Sequence, residues 1–466
     1  MLTMKWVFAA LCALILSLSG PVAAQDGGCP PTGTTPYDYK QALCMSFLFY
    51  GAQRSGKLPS SNRIPWRGDS ALNDGSDVGK DLTGGYYDAG DHVKFGFPMA
   101  GTVTVLGWGV VEYRDAYTDS GQLEYGLDAL KWGTDYFLKA HTASSELYGQ
   151  VGNGGADHSF WGRPEDMTMS RPSAKIDNNA PGSDLAGETA AALAAASIAF
   201  KDTDSSYSSK LLSAAKELFE FANNRRATYD SSITDAGNYY KSWSGFNDEL
   251  VWGAAWLAKA GESSYLSKAE QLFDEFNLGA YADQFGWDDK RPGVLALLTD
   301  LTGSNKYKDL LTKWTNDMMN KPQSPGGMVY IDQWGTLRHA ANVAFVMTRA
   351  AHLGINSAAN KAFALRQLHY ILGDNPQQRS FVVGFGNNPP QRPHHRSSSC
   401  PDPPASCDNA MNNSGPNPHT LFGAFVGGPA NNDNYTDDRN DYVHNEVACD
   451  YNAGYTSLLA AVLSDM

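Results

Sequence analysis

The sequence predicts an all-α fold in which twelve helices form two concentric rings, an (α/α)6 barrel with long loops between helices. Two observations favour this class. Apolar residues recur at three- and four-residue steps in twelve separate stretches, while convincing strands are few. The connections alternate between short and long, as expected for helical hairpins arranged around an axis. Because periodicity alone cannot close a ring, an open helical solenoid stays an alternative.

Twelve amphipathic stretches account for the predicted helices. In the stretch 207–224, Leu211, Leu218 and Ala222 fall on one face and form a single apolar stripe. The stretch 190–199 is almost entirely alanine, which lets neighbouring helices approach closely. In chain order the predicted helices are 37–54, 98–118, 122–141, 183–200, 207–224, 245–260, 263–276, 290–301, 304–320, 336–353, 357–372 and 449–463.

Five long connections carry most of the Gly, Pro, Trp, His and Asp residues of the chain. Loops of this length inside a compact domain are usually functional. They cover residues 55–97, 142–182, 228–244, 322–335 and 373–448. We therefore expect the functional side chains to lie on these loops.

The N-terminus has the pattern of a secretory signal peptide. A short segment with one lysine precedes the apolar run 6–18, and small residues lead up to a predicted cut after Ala24. An uncleaved membrane anchor is the alternative, but the apolar run is short for a stable span. We expect residues 1–24 to be removed, 25–35 to form a short segment and 36–466 to form one domain with no membrane contact.

The acidic balance of the chain narrows the classes of partner. The 466 residues include 36 Lys and Arg against 50 Asp and Glu, a net charge of −14. Nucleic acids and anionic membranes are bound by basic patches, so this balance argues against both. It suits a neutral substrate.

Five cysteines remain after Cys12 leaves with the predicted signal peptide. In an oxidising compartment some of them should pair. Cys400 and Cys407 close a short proline-rich loop and are the favoured pair. The pairing of the other three stays open, with one thiol left over.

Three clusters carry candidate chemistry, and the first is the glycine-flanked run 84–92. Asp88 and Asp91 lie three residues apart in it, so one can hold a water molecule while the other removes its proton. A surface turn is the alternative, because Asp and Gly favour turns. A calcium loop is disfavoured, because the run lacks the dense oxygen ligands of an EF-hand.

The second cluster, 380–396, ends in His394, His395 and Arg396. His394 and Arg396 can donate to sugar hydroxyls or hold a carboxylate. Two adjacent histidines also suggest zinc, with Cys400 and Cys407 as further ligands, although secretion favours a disulfide between those cysteines.

The third cluster, 435–453, contains Glu446 close to Tyr442. A partly desolvated carboxyl group there would have a raised pKa, as a general acid needs. The alternative is a helix N-terminal acid stabilised by the macrodipole. The segment 437–441 also spells an aspartate pattern that terpene synthases use for magnesium diphosphate, but the signal peptide and the missing basic cluster oppose it.

In this order the three clusters resemble the signatures of glycoside hydrolase family 9, and the closest likeness is to secreted animal endoglucanases. The resemblance implies an (α/α)6 barrel that hydrolyses β-1,4-glucan and cello-oligosaccharides with inversion. It implies no organic cofactor, and we expect a secreted monomer. It makes Asp91 the general base, Asp88 its partner in holding water and Glu446 the general acid. His394 and Arg396 would bind the sugar beside the scissile bond, and Asp437 would support the acid loop.

Inversion needs room for a water molecule between acid and base. The resemblance therefore predicts that the carboxyl groups of Asp91 and Glu446 lie roughly 6.5–9.5 Å apart. Aromatic side chains stack on sugar rings, although burial in the core is an equally common role for them. The residues expected to bind substrate, besides Arg396, are His158, Trp161, Trp252, Trp256, Tyr330, Trp334 and Tyr451.

The run 244–249 resembles the calcium loop of the same family. Its expected ligands, the carbonyls of Ser244 and Gly245 and the carboxylates of Asp248, Glu249 and Asp288, are the hard oxygens that calcium prefers. An acidic cluster at a helix N-terminus is the alternative. The ion would be structural.

A rival from another class is a secreted β-glucan-binding protein without activity. Its mark in the sequence would be a missing acid or base. Both Asp91 and Glu446 are present, which favours an enzyme.

Overall fold

The computed structural model describes residues 27–33, 37–280 and 282–466, so the predicted signal peptide lies outside the described residues. The helices are α1 (Tyr39–Ala52), α2 (Gly96–Glu112), α3 (Arg114–Asp119), α4 (Leu123–Ala140), α5 (Gly154–His158), α6 (Ser183–Phe200), α7 (Ser205–Asn224), α8 (Asn247–Lys259), α9 (Ser264–Glu275), α10 (Arg291–Thr302), α11 (Asn305–Met319), α12 (Thr336–His352), α13 (Ser357–Leu372), α14 (Arg396–Ser399), α15 (Tyr442–Asn445) and α16 (Cys449–Leu463).

The twelve long helices correspond to the twelve predicted stretches. The predictions 183–200, 357–372 and 449–463 match α6, α13 and α16 residue for residue. The stretch 98–118 is divided between α2 and α3, because Tyr113 leaves the helical region with φ −124° and ψ 32°. The apolar period continues through that break, so the pattern alone could not show it.

Alternate long helices form an inner ring. In the order α2, α6, α8, α10, α12 and α16 each helix contacts the next, and α16 returns to contact α2. This last contact closes the barrel, so the open solenoid is excluded. The outer helices α1, α4, α7, α9, α11 and α13 pack against the inner ring. The predicted (α/α)6 barrel is confirmed.

Burial separates the two rings. Every residue of α6 except Ile198 is buried, whereas α9 buries only Ala269, Leu272 and Phe273. The inner helices approach each other closely because small residues face each other. A Cβ added to Gly253 on α8 would lie 3.0 Å from the carbonyl oxygen of Gly187 on α6.

Two of the predicted sugar platforms belong to the core instead. Trp252 and Trp256 on α8 have no exposed surface, and both meet Trp108 of α2 edge to face. The prediction that they bind substrate is therefore wrong. They lie on an inner-ring helix, where the neighbouring helices cover them. The spacing of these tryptophans in the sequence does not show whether their side chains face the core or the cleft.

A small antiparallel sheet was missed by the sequence analysis. It consists of β1 (Lys94–Phe95), β2 (His141–Ala143), β3 (Glu146–Val151) and β4 (Ser173–Asp177), and β3 pairs with the other three. These strands are two to six residues long, too short for a recognisable alternation. Pairing of β1 with β3 fixes the chain that follows the first cluster against the loop 142–182.

Disulfides join Cys400 to Cys407 and Cys29 to Cys44. The first pairing confirms the prediction and removes the zinc alternative that used these two thiols. Cys449, in α16, is the free buried thiol. None of the helices in the described ranges is both long enough and apolar enough to span a membrane.

Replacing Trp252 by alanine is expected to lower the free energy of unfolding by about 3–5 kcal/mol, because it opens a cavity in the aromatic core. Trp243→Ala is the matched control. Trp243 is 74% exposed, so its loss should change that free energy by about 0.5 kcal/mol or less. Denaturant-induced unfolding measures both variants. Equal effects would contradict the placement of Trp252 in the core.

Candidate active site

A cleft of about 930 Å³ brings together residues of the long loops. Most of the predicted site residues line it, although they are separated by hundreds of positions in the chain. Those on its wall are Asp88, Asp91, His158, Trp161, Asp288, Trp334, His394, Arg396, Glu446 and Tyr451.

Backbone hydrogen bonds hold the three sequence clusters against one another. The N–H of Arg396 donates to the carbonyl of Gly90 at 3.0 Å, and the N–H of Cys449 donates to the carbonyl of Asp88 at 2.9 Å. A Cβ on Gly90 would lie 2.1 Å from the carbonyl oxygen of His394, so only glycine permits this approach. The loop carrying the paired aspartates is thereby fixed to both other clusters.

The loop of the second cluster is also joined to the segment that carries Glu446. His394 donates its N–H to the carbonyl of Asn445 at 2.8 Å, which forms a short parallel bridge beside Glu446. The carbonyl of Glu446 in turn accepts from the N–H of Gly427 at 2.8 Å. Main-chain contacts therefore set the position of the Glu446 backbone.

Asp88 and Asp91 form a buried acidic pair with unequal protonation. Burial raises the pKa of Asp88 well above its ordinary value, and the charge of Asp91 raises it further. Burial opposes ionisation of Asp91 too, but His158 and the charge of Arg396 outweigh it and lower the Asp91 pKa. The His158 Nε2 lies 3.4 Å from Asp91 Oδ2. The pair therefore carries its negative charge on Asp91.

Asp88 has a partner that the sequence analysis missed. The hydroxyl of Tyr240 donates to Asp88 Oδ2. Tyr240 lies in the loop 228–244, one of the long loops predicted to carry functional side chains. The sequence shows two adjacent tyrosines, Tyr239 and Tyr240, in this loop, but it does not show that Tyr240 contacts Asp88.

Glu446 retains its proton at higher pH than an ordinary glutamic acid. Burial raises its pKa to about 7, and the negative charges of Asp91 and Asp450 act in the same direction. The indole N–H of Trp334 donates to Glu446 Oε2 at 3.1 Å and partly offsets this increase. Below about pH 7 the cleft therefore presents an ionised Asp91 together with a protonated Glu446.

His394 is a neutral imidazole. Burial lowers its pKa to about 4. Its Nδ1 lies 2.8 Å from the carbonyl of Arg439, so Nδ1 carries the hydrogen and Nε2 is an acceptor. The ring meets Trp161 edge to face with centroids 5.0 Å apart, and the guanidinium of Arg396 lies over Trp161 at 5.1 Å.

Aromatic side chains form the walls of the cleft. Trp334 is 43% exposed and contacts Tyr442, which is also exposed. Trp243 is the most exposed tryptophan on the cleft wall and was not predicted, although it lies in a long loop. Tyr451 contributes from a buried position.

Besides the core residues Trp252 and Trp256, two of the residues predicted for catalysis or substrate binding do not line the cleft. Tyr330 is half-buried and packs against the hydrophobic core, away from the cleft wall. Asp437 accepts the N–H groups of Gln391 at 2.9 Å and Arg392 at 3.0 Å. It therefore supports the loop that leads to His394, and its expected support of the segment that carries Glu446 stays a prediction.

The predicted calcium loop forms a buried acidic cluster. Burial raises the pKa of Asp248 to about 7 and that of Asp288 to about 6. Both carboxylate oxygens of Glu249 are buried and have no hydrogen-bond partner. Ser244 Oγ lies 3.3 Å from Asp248 Oδ1 and donates to the carbonyl of Asp288 at 2.7 Å. A buried carboxylate without hydrogen bonds, next to two further buried acids, fits a hard cation.

A closed double ring of helices with two differently protonated carboxyl groups in an aromatic cleft defines the class: an all-α barrel protein with a paired-acid site. The sequence profile of glycosyl hydrolase family 9 matches residues 39–459. The chain belongs to this family.

Known relatives agree in sequence and in structure. Endoglucanase B of Cellulomonas fimi is 48% identical over 474 residues, which cover 98% of this chain but 44% of that protein's length. The structure of a termite endoglucanase from Nasutitermes takasagoensis superposes with a TM-score of 0.90 and 58% identity, covering 92% of this chain and 99% of that one. Endoglucanase CelQ of Clostridium thermocellum, solved with cellotetraose, has a TM-score of 0.83 and 37% identity, covering 92% and 71%.

Proposed function

We propose that the chain is an endo-β-1,4-glucanase that hydrolyses internal bonds of cellulose and related β-glucans with inversion. One observation carries this proposal: the ionised Asp91 and the protonated Glu446 share one aromatic-lined cleft. An ionised carboxylate is a general base and a carboxyl group with a raised pKa is a general acid, which is the pair that glycoside hydrolysis needs.

In the proposed reaction, a water molecule lies between the sugar and the aspartate pair. Asp91 accepts a proton from this water, whose oxygen forms the new bond to the anomeric carbon. Glu446 donates its proton to the glycosidic oxygen as the old bond breaks. Asp88, held by Tyr240, orients the water. A single displacement inverts the anomeric carbon, and the predicted separation of roughly 6.5–9.5 Å between the two carboxyl groups belongs to this mechanism.

The substrate class rests on the relatives and on the cleft lining. The compared proteins are endoglucanases, and CelQ was solved with cellotetraose. In this chain the neutral His394 and the Arg396 guanidinium provide polar contacts, while Trp161, Trp243 and Trp334 provide flat surfaces on which sugar rings stack. These groups suit an uncharged glucan chain.

We also propose that calcium binds at the acidic cluster. Glu249, Asp248 and Asp288 would hold it, with the carbonyls of Ser244 and Gly245. The unpartnered oxygens of Glu249 support this assignment. Within the described residues the side-chain oxygens of the three acids do not all lie within 4.8 Å of one another, so the carbonyls and water must complete the shell. The ion would stabilise the start of α8 without taking part in hydrolysis.

Secretion as a monomer, with 36–466 as one catalytic unit, completes the proposal. The two disulfides are consistent with an oxidising compartment. The signal-like N-terminus of the sequence supports export.

Glu446→Gln is expected to reduce kcat on cellopentaose by about 10²–10⁴-fold, because the amide cannot donate the proton. The wild type should release the α-anomer first, as proton NMR of the products shows. Glu124→Gln, on the exposed start of α4, is the matched control and should retain wild-type activity. An early β-anomer would contradict inversion, and an unchanged rate in Glu446→Gln would contradict its role as acid.

The pH profile should follow the two carboxyl groups. The alkaline limb of kcat/KM is expected near pH 7, where Glu446 loses its proton. The acidic limb is expected below the ordinary aspartate value of 3.8, where Asp91 becomes protonated. His158→Gln removes the positive charge that favours ionised Asp91, so it should move the acidic limb to higher pH and leave the alkaline limb in place.

The control for this measurement is His352→Gln, since His352 pairs with Asp465 and does not line the cleft. Its profile should match the wild type. If the acidic limb stays in place in His158→Gln, His158 does not control the ionisation of Asp91.

Calcium is expected to raise the melting temperature of the wild type and not that of Glu249→Gln. At a calcium concentration 100-fold above Kd, the stabilisation should be about 2.7 kcal/mol. Thermal unfolding with calcium and with a chelator measures it, and Glu124→Gln should respond like the wild type. A melting temperature of the wild type that is indifferent to calcium would rule out the site.

A further inference from the structure

A second set of metal-ligating atoms lies at the catalytic base, apart from the calcium cluster. Asp91, Asp157 and His158 each present one ligand atom, and the three atoms lie within 4.8 Å of one another. Among the described residues this is the one such group. Asp91 and His158 line the cleft, so an ion can reach them from solvent.

Asp157 provides independent evidence for a missing ligand, because one of its buried oxygens has no hydrogen-bond partner. It is only 1% exposed, yet its Oδ2 has no hydrogen-bond partner. Its Oδ1 accepts the N–H of His92 at 3.1 Å, and Oδ2 lies 3.9 Å from Arg171. A buried carboxylate oxygen without a hydrogen bond is costly, and a bound cation would remove that cost.

The two nearby guanidinium groups direct their hydrogen bonds to other residues. Arg171 forms its short contact with Asp74, at 2.8 Å from Oδ1. Arg396 donates its Nε–H to the carbonyl of Phe160 at 2.9 Å. Neither guanidinium donates a hydrogen bond to Asp91 or Asp157, although Arg171 forms a 3.9 Å ion pair with Asp157 and the charge of Arg396 favours ionised Asp91.

The ligand types select a transition metal. Imidazole suits zinc and copper, whereas calcium and magnesium prefer oxygen ligands throughout. Tetrahedral zinc with bonds of about 2.0–2.1 Å places its ligand atoms about 3.3 Å apart. The His158 Nε2 to Asp91 Oδ2 distance is 3.4 Å. Three protein ligands would leave the fourth position for water or substrate.

We propose that Asp91, Asp157 and His158 form a binding site for zinc, or a similar divalent transition metal, that inhibits the enzyme. The bound ion would engage the Asp91 lone pair that otherwise accepts the proton of the attacking water. Binding stands on the geometry alone, whereas inhibition rests on the proposed function. Calcium would not replace zinc here, so the two cation sites of the chain would have opposite consequences.

Isothermal titration of the full chain with zinc chloride, in excess calcium to fill the all-oxygen cluster, tests the binding. The wild type should bind one zinc ion. Asp157→Asn removes a ligand but keeps the base, so its zinc affinity should fall at least about ten-fold. Asp309→Asn is the matched control, because Asp309 is exposed on α11 and makes the same charge change far from the group.

His158→Gln is the second variant, since its half-exposed side chain can be replaced without disturbing the core. It should lose zinc affinity as well. X-ray absorption at the zinc edge of the wild type should show nitrogen and oxygen ligands at about 2.0–2.2 Å. Wild-type binding by both variants, or no saturable binding by the wild type, would overturn the proposal.

Zinc inhibition of cello-oligosaccharide hydrolysis is measured separately. It should be reversed by chelator and weakened in Asp157→Asn. If the chain hydrolyses no glucan, the proposed activity fails while the titration still reports on the site. If zinc binds but the activity is unchanged, the ion does not coordinate Asp91 and the inhibitory site is refuted.

Discussion

The site depends on direct main-chain hydrogen bonding between three loops that are distant in sequence. Gly90 and Asp88 accept from Arg396 and Cys449, and His394 donates to Asn445. These bonds fix the backbone segments that carry Asp91, His394 and Glu446 relative to one another. The close approach at Gly90 allows no Cβ. The barrel provides a rigid support for these loops. Cys449, which donates to Asp88, is the first residue of the inner-ring helix α16.

Burial of the carboxyl groups in the cleft changes their pKa values. The same desolvation acts on Asp88, Asp91 and Glu446, yet their pKa values separate because their neighbours differ. His158 and Arg396 favour the charge on Asp91, whereas Glu446 faces other carboxylates. A single cleft can therefore hold an ionised and a protonated carboxyl group at one pH. Buried acidic side chains lie close together both beside Asp91 and at the start of α8, and this negative charge favours cation binding at both proposed sites.

Much of the fold was accessible from the sequence, since the period of apolar residues reports helices directly. Three predicted helices were right to the residue, and the alternation of loops indicated a double ring. The break at Tyr113 and the four short strands were not accessible, because neither changes the pattern of apolar residues. The motif residues of the cleft were found by resemblance, and the structure then separated Trp334, at the cleft, from Trp252, in the core.

The sequence by itself determined the helical class, the position of functional residues on long loops and the pairing of Cys400 with Cys407. Each of these follows from local chemistry: spacing, loop composition or a short separation along the chain. Only the tertiary structure decided that the ring closes, that Asp437 faces the histidine loop and that Tyr240 supports Asp88. It also decided which carboxyl group is charged. These properties arise from contacts between distant segments and from the burial that those contacts produce, and no local pattern encodes them.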